Sequence, residues 1–167
     1  GKGTVHLPGH FGNWEHMGAY VAQKPYPIRV VGSPLKNPLL DTLLVDMRNN
    51  AGYRNIPRGK SAKEILRALK KSALLGVLID QDIKKINGVF VDFFGRKAHT
   101  PIGPVVIAVK FGIPIIPVFI HLEKDLTYHI QCFDPVELTL TGDTDMDIII
   151  NTQKCSHVYE MVIRQHP

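Results

Sequence analysis

The stretch "PIGPVVIAVKFGIPIIPVFI", residues 101–120, is the most apolar window of the chain and has the length of a membrane span. It also holds four prolines, two glycines and Lys110. A helix running through Pro114 and Pro117 would lose backbone hydrogen bonds and clash at each ring, so one continuous span is excluded. The window reads instead as a helix from about Ile102 to about Lys110, then a buried strand "IIPVFI" (115–120). That reading makes the segment core, and it sets the class of fold.

Working outward, strands and helices alternate. "TVHLP" (4–8) reads as a short strand, followed by a glycine-containing turn and a helix from about Trp14 to Gln23. "IRVVG" (28–32) is a second strand. "NPLLDTLLVDMRNNAG" (37–52) has helical spacing, with Asn37 as N-cap, Pro38 in the first helical position and Gly52 closing it. "SAKEILRALKKS" (61–72) carries a capping box, Ser61 with Glu64, and lines Ile65, Leu66 and Leu69 on one face. "LLGVLID" (74–80) is a buried strand ending in Asp80, Gln81 and Asp82. "GVFVDFFG" (88–95) is extended, and "GRKAHTPIGP" (95–104) reads as a loop entering the next helix with Thr100 as its cap. "LTYHIQCF" (126–133) alternates as a strand does, and an amphipathic helix runs from about Asp143 to Gln165. Continuous apolar strands alternating with helices predict an α/β fold: one domain with a mixed, mostly parallel β-sheet flanked by helices. In such sheets, sites gather at the carboxyl ends of strands.

The 167 residues, 44% hydrophobic, suffice for one globular domain. A net charge of +5 and a pI near 9.3 favour an anionic partner. Cys132 and Cys155 show no CxxC or framework spacing and read as buried free thiols of a reducing compartment. No signal peptide opens the chain. It begins with Gly and stops at Pro167 directly after a helical pattern, as a trimmed fragment would.

Chemistry concentrates in "GHFGNWEHMG" (9–18). His10 and Glu15 form an HxxxxE pair, a spacing expected about once by chance in such a chain. His129 and Asp134 repeat it on a predicted strand, where residues five apart point to opposite faces. His10 instead leaves a strand end, Asn13 is placed to cap, and Glu15 falls in the first helical turn. A carboxylate held against one imidazole nitrogen fixes the tautomer and raises the basicity of the other, as a general base requires. Spacing alone favours the plainer reading, in which Glu15 only complements the helix dipole and His10 is a turn residue. His6, His10 and His16 do not make a metal set, because Pro8 and Gly9 prevent the helix that would align the first two. No metal ligand is assigned.

Arg54, Arg58, Lys60, Lys63, Arg67, Lys70 and Lys71 form the basic concentration of the chain, against Glu64 alone. Arg58 and Lys60 precede a helix start, where free amides, the dipole and charge-assisted bonds favour a phosphate. The stretch lacks interleaved aromatics and matches no nucleic-acid motif, so nucleic acid is not the expected partner.

Three blocks, "GHFGNWE" (9–15), "IPRGKSAKEILRALKKSALLGVLIDQD" (56–82) and "VDFFGRKAHTPIGPVVIAVKFGIPIIPVFI" (91–120), resemble in order and spacing the lipid A biosynthesis acyltransferases, the late lauroyl and myristoyl transferases. These lie within the wider lysophospholipid and glycerol-phosphate acyltransferase superfamily, and the likeness runs from about residue 3 to 166. The resemblance implies that residues 1–167 are an acyltransferase catalytic domain. Its acyl donor would be an acyl carrier protein or acyl-CoA thioester, and its acceptor a hydroxyl of a lipid A precursor or related membrane glycolipid. His10 would be the general base and Glu15 would orient it, the two within reach of each other in a groove that also shows Arg58. Backbone amides near Gly12 and Asn13, or Arg58, would stabilise the oxyanion. Arg58 and Lys60 would meet phosphate, and Asp80 and Asp82 would shape the polar rim. No cofactor is implied, the thioester being a co-substrate.

The implied location is the cytoplasmic face of the bacterial inner membrane. Family members usually carry an N-terminal membrane helix and a tryptophan-rich, basic C-terminal segment, neither of which is in this sequence. The Pro-Glu-Gly-Thr block of the glycerol-phosphate branch is not visible either. Two alternatives accompany this reading: an acyltransferase for another glycolipid, such as a phosphatidylinositol mannoside, or for a lysophospholipid, and a non-catalytic lipid- or phosphate-binding domain.

Overall fold

A computed structural model describes residues 3–58 and 62–167. The chain runs β1 (Thr4–Leu7), α1 (Trp14–Ala22), β2 (Ile28–Gly32), α2 (Pro38–Ala51), β3 (Arg54–Pro57), α3 (Ala62–Lys70), β4 (Leu74–Gly76), β5 (Gly88–Phe93), β6 (Arg96–Pro101), α4 (Gly103–Phe111), β7 (Ile115–Leu122), β8 (Tyr128–Cys132) and α5 (Thr144–Gln165). Six strands form one sheet in the order β3-β2-β4-β1-β7-β8. All neighbours are parallel except β7 and β8. The α/β class read from the alternating pattern is therefore the observed one.

The 101–120 window divides as its prolines require. Pro104 opens α4, Gly112 (φ 61°) closes it in the left-handed conformation, and β7 follows into the centre of the molecule. Strand alternation then sorts β7 between two apolar layers. Ile115 and Phe119 join Val5, Leu7, Leu75, Val105, Ala108, Cys155, Tyr159 and Val162 on the face covered by α3, α4 and α5. Val118 and Ile120 face the other way, onto Met17, Trp14 and Val21 of α1. Among the described residues, no helix is long and apolar enough to cross a membrane.

Most caps are the expected ones. Asn13 Oδ1 accepts from His16 N at 2.9 Å, and Asn37 Oδ1 accepts from Leu39 N at 3.0 Å. Gly52 (φ 100°) ends α2. The capping box read at Ser61 lies outside the described residues.

Three expectations change. Residues 96–101, read as a loop, are a strand: Phe94 (φ 52°) and Gly95 (φ 75°) make a tight turn that folds β6 back on β5. Thr100 consequently lies in β6, and α4 begins after Ile102 without a side-chain cap, Pro104 relieving one unsatisfied donor position. The strand β3 has no apolar alternation and is created by parallel pairing with β2. Cys155 is buried, but Cys132 is exposed, because β8 is the edge of the sheet.

Candidate active site

β1 ends at Leu7 in the middle of the sheet, and its continuation carries Pro8, Gly9 and His10 across the carboxyl edge. Three packing restraints fix this loop. The Tyr159 hydroxyl, buried on α5, donates to Pro8 O at 2.8 Å. A Cβ on Gly9 would come within 3.1 Å of both Phe119 and Tyr159. Gly12 has φ 59°, and a Cβ there would lie 2.0 Å from the carbonyl oxygen of Ile120. At Gly12 no side chain fits without moving the loop, whereas one at Gly9 would require the two rings to shift slightly.

β4 neighbours β1, and the chain beyond it brings Asp80 to the same edge. The Asp80 carboxylate receives two hydrogen bonds from His10: the backbone N–H to Oδ2 at 2.5 Å and ring Nδ1 to Oδ1 at 2.8 Å. An ionised carboxylate only accepts, so Nδ1 carries a proton, and in the neutral imidazole Nε2 is then the lone-pair nitrogen. The His10 side chain is 34% exposed and Asp80 only 12%, so the nitrogen free to react is on the open member of the pair. Trp14 sets the ring's other side, its indole meeting the imidazole edge-on at 4.8 Å.

Glu15 is held elsewhere. Arg48 of α2 binds it through two nitrogens, Nε to Oε2 at 3.0 Å and Nη2 to Oε1, and the Tyr53 hydroxyl donates to Oε2 at 2.7 Å. Arg48 also reaches Asn55 Oδ1 at 3.0 Å. Burial alone would raise the Glu15 carboxyl, but hydrogen bonds from Arg48, Tyr53 and Trp14 and the Arg48 charge outweigh it and hold it below the usual carboxylate range. Burial, together with the adjacent carboxylate, pushes the Tyr53 phenol well up. The structure thus pairs His10 with Asp80 and ties Glu15 into a network joining α1, α2 and β3.

Behind this edge, an apolar cavity of about 280 Å³ lies between the sheet and α1. Its floor is the sheet face opposite the main core, including Val30, Leu78, Val118 and Ile130, and its roof includes Trp14 and Met17. Small residues keep it open: a Cβ on Gly18 would press on Tyr53 at 3.1 Å, and one on Gly76 on Val30 at 3.3 Å. His6 also lines it, bonded to Thr4 Oγ1 at 3.0 Å, and burial pushes its imidazole down, towards the neutral form.

The remaining expected residues distribute as follows. Gly12 and Asn13 lie between His10 and the amino end of α1. Arg58 is anchored by its backbone N–H to Gly32 O at 3.0 Å and lines a separate groove of about 660 Å³ between α3 and α4, which also contains Lys110. The groove and the cavity share Val31. Burial lowers the Arg58 guanidinium. Asp82 is exposed beyond Asp80. Lys60 lies outside the described residues. His16 packs its ring against Tyr128 at 4.9 Å and takes no part in the His10 contacts. Sequence reasoning assigned no role to Arg48 or Tyr53. Arg48 stands in the last turn of α2, and only the packing of α2 against α1 shows its partner.

The whole chain, residues 1–167, matches the model of the bacterial lipid A biosynthesis acyltransferase family. It is 30% identical over 129 residues to a phosphatidylinositol mannoside acyltransferase of Mycolicibacterium smegmatis, covering 75% of this chain and 42% of the relative. It is 26% identical over 171 residues to the phosphatidylinositol mannoside acyltransferase of Mycobacterium tuberculosis, covering 100% of this chain and 52% of the relative. The chain therefore spans about half the length of the curated relatives it matches. With the match extending over every block that frames His10, the chain belongs to the bacterial lipid A biosynthesis acyltransferase family.

Proposed function

We propose that this chain carries the catalytic centre of an O-acyltransferase that moves a fatty acyl group from an acyl carrier protein or acyl-CoA thioester to a sugar hydroxyl of a membrane glycolipid. The observation that carries the reading is the His10–Asp80 pair at the sheet edge. Nε2 of His10 takes the proton of the acceptor hydroxyl as its oxygen attacks the thioester carbonyl. Asp80 keeps the imidazole in the required tautomer and stabilises the imidazolium that forms. The tetrahedral oxyanion is met by peptide N–H groups of the Gly12–Asn13 segment at the positive end of α1. Collapse breaks the C–S bond, and the proton held by His10 passes to the departing thiolate. No acyl-enzyme and no cofactor enter this scheme.

The apolar cavity supports the same reading. Trp14 both lines it and borders the His10 ring, so a chain seated there would present its thioester to Nε2. Each methylene buried contributes about 0.8 kcal/mol. Glu15 is assigned a positioning role: with Arg48 and Tyr53 it fixes the first turn of α1, and through it the loop bearing His10. Arg58 and Lys110 place positive charge at the second groove, suited to the anionic part of a glycolipid. The family description favours a lipid A precursor as acceptor, and the names of the relatives favour a phosphatidylinositol mannoside. Both are anionic saccharide lipids. The reaction belongs at the cytoplasmic face of the inner membrane, where thioester and lipid meet.

Mass analysis of lipids made by the full-length protein from an acyl thioester and a membrane lipid extract tests this. One added acyl chain on a glycolipid, lost in His10→Ala, is the expected result. Lipid binding with no turnover in the wild type would identify a binding domain instead.

A further inference from the structure

Outside the His10 centre, one cluster of donor side chains is preassembled on the β7–β8 hairpin. His121 and His129 stand directly opposite each other on the paired strands, so their side chains leave the same face. Glu123, two residues beyond His121, returns to that face, and its Oε1 lies 2.9 Å from His121 Nε2. The two imidazoles meet nearly at right angles with centroids 5.0 Å apart. One ligand atom from each of the three residues falls within 4.8 Å of the others.

We propose that His121, Glu123 and His129 bind a divalent cation of the zinc class. Two imidazoles and one carboxylate form a nitrogen-rich donor set that suits Zn²⁺ and fits neither Mg²⁺ nor Ca²⁺, which demand several oxygens. Four-coordinate Zn²⁺ with ligands at about 2.0–2.2 Å holds neighbouring donors about 3.3–3.6 Å apart, so the set needs to close by no more than about 1.5 Å. Glu123 and His129 are exposed and close that distance by side-chain rotation, while His121 is 9% exposed and already fixed. His166, just beyond α5, stacks on His121 with centroids 4.0 Å apart and an interplanar angle of 28°, restraining its ring as a ligand needs. The three residues leave a fourth position for water. The site has no part in acyl transfer as drawn above. It clips the end of the edge hairpin and, through His166, which touches Phe11 edge-on at 6.1 Å, bears on the loop next to His10.

The test uses full-length, tag-free protein stripped with chelator and titrated by calorimetry with ZnCl₂ and, separately, MgCl₂ at neutral pH, with Co²⁺ as the spectroscopic probe. Saturable binding of one Zn²⁺ per chain, none of Mg²⁺, and four-coordinate Co²⁺ absorption are expected. His129→Ala, an exposed change, should weaken Zn²⁺ by more than the roughly 10- to 100-fold typical of losing a ligand's supporting partner, and Glu123→Gln should also weaken it. His157→Ala, an exposed histidine on α5, should leave the affinity unchanged. Absence of Zn²⁺ binding, or binding that survives His129→Ala at full strength, would overturn the assignment.

Discussion

Two carboxylates near the sheet edge differ in what they touch. Asp80 contacts the His10 ring, whereas Glu15 contacts Arg48 and Tyr53. Asp80→Asn should lower kcat by about 10²–10⁴, the range of general-base assistance, with a smaller change in KM. Steady-state kinetics on the full-length protein checks this. Arg48→Ala leaves the partly buried Glu15 carboxylate without its guanidinium and should cost about 1–3 kcal/mol in urea denaturation. The depressed Glu15 carboxyl also has a pH signature. Its stabilisation is complete above the unfolded-chain value of about 4.3 and is lost as pH falls through the lower folded value. The acid limb of the stability curve should therefore be shallower in Arg48→Ala than in the wild type. The setting of His10 was legible in the sequence, since a histidine leaving a strand just before a capped helix is a local pattern. Its Asp80 contact was not, because it joins residues 70 positions apart through a strand order that local spacing does not encode.

Elements behave as their local chemistry dictates wherever that chemistry is strong. The helix–strand division of residues 101–120 follows from proline placement, and the bounds of α2 follow from Asn37, Pro38 and Gly52. Elements made by pairing were invisible: β3 exists because β2 lies beside it, and β6 because the Phe94–Gly95 turn reverses the chain. The hairpin β5–β6 is then held to α5 by side chains, Asp92 N–H donating to Gln153 Oε1 at 2.7 Å and Ser156 Oγ donating to Asp92 O at 2.9 Å. The His10 loop depends on β7 in the same way. Gly12→Ala adds a Cβ against the Ile120 carbonyl at a positive φ and should destabilise the fold by more than about 1 kcal/mol, with activity falling as the loop moves. Thermal unfolding and rate measurements on the same preparation check both.

For the molecule as a whole, the sheet carries an apolar layer on each face, and open space remains on both. The face under α3, α4 and α5 holds the main core and, between α3 and α4, the groove that Arg58 lines, while the face under α1 retains the 280 Å³ apolar cavity. Apolar strand composition predicted burial on both faces and gave no hint of the cavity under α1, because it depends on Gly18 and Gly76 standing opposite larger partners. If an acyl chain occupies that space, Ile130→Trp on edge strand β8 should shorten the preferred donor. The expected loss in kcat/KM is about fourfold per excluded methylene, measured across a thioester length series. Cys132 also lines the cavity and is exposed, while burial pushes the Cys155 thiol up to about 12. A thiol reagent should thus modify one cysteine of the native protein quickly, and Cys132→Ser should abolish that reaction. The measurement that reaches the central claim most directly is the kcat of full-length Asp80→Asn beside Glu15→Gln, with an acyl thioester and the glycolipid acceptor. The account predicts that Asp80→Asn loses about 10²–10⁴ in kcat while remaining folded, and that Glu15→Gln loses stability along with activity. Wild-type turnover in Asp80→Asn, with activity abolished in a stably folded Glu15→Gln, would contradict it.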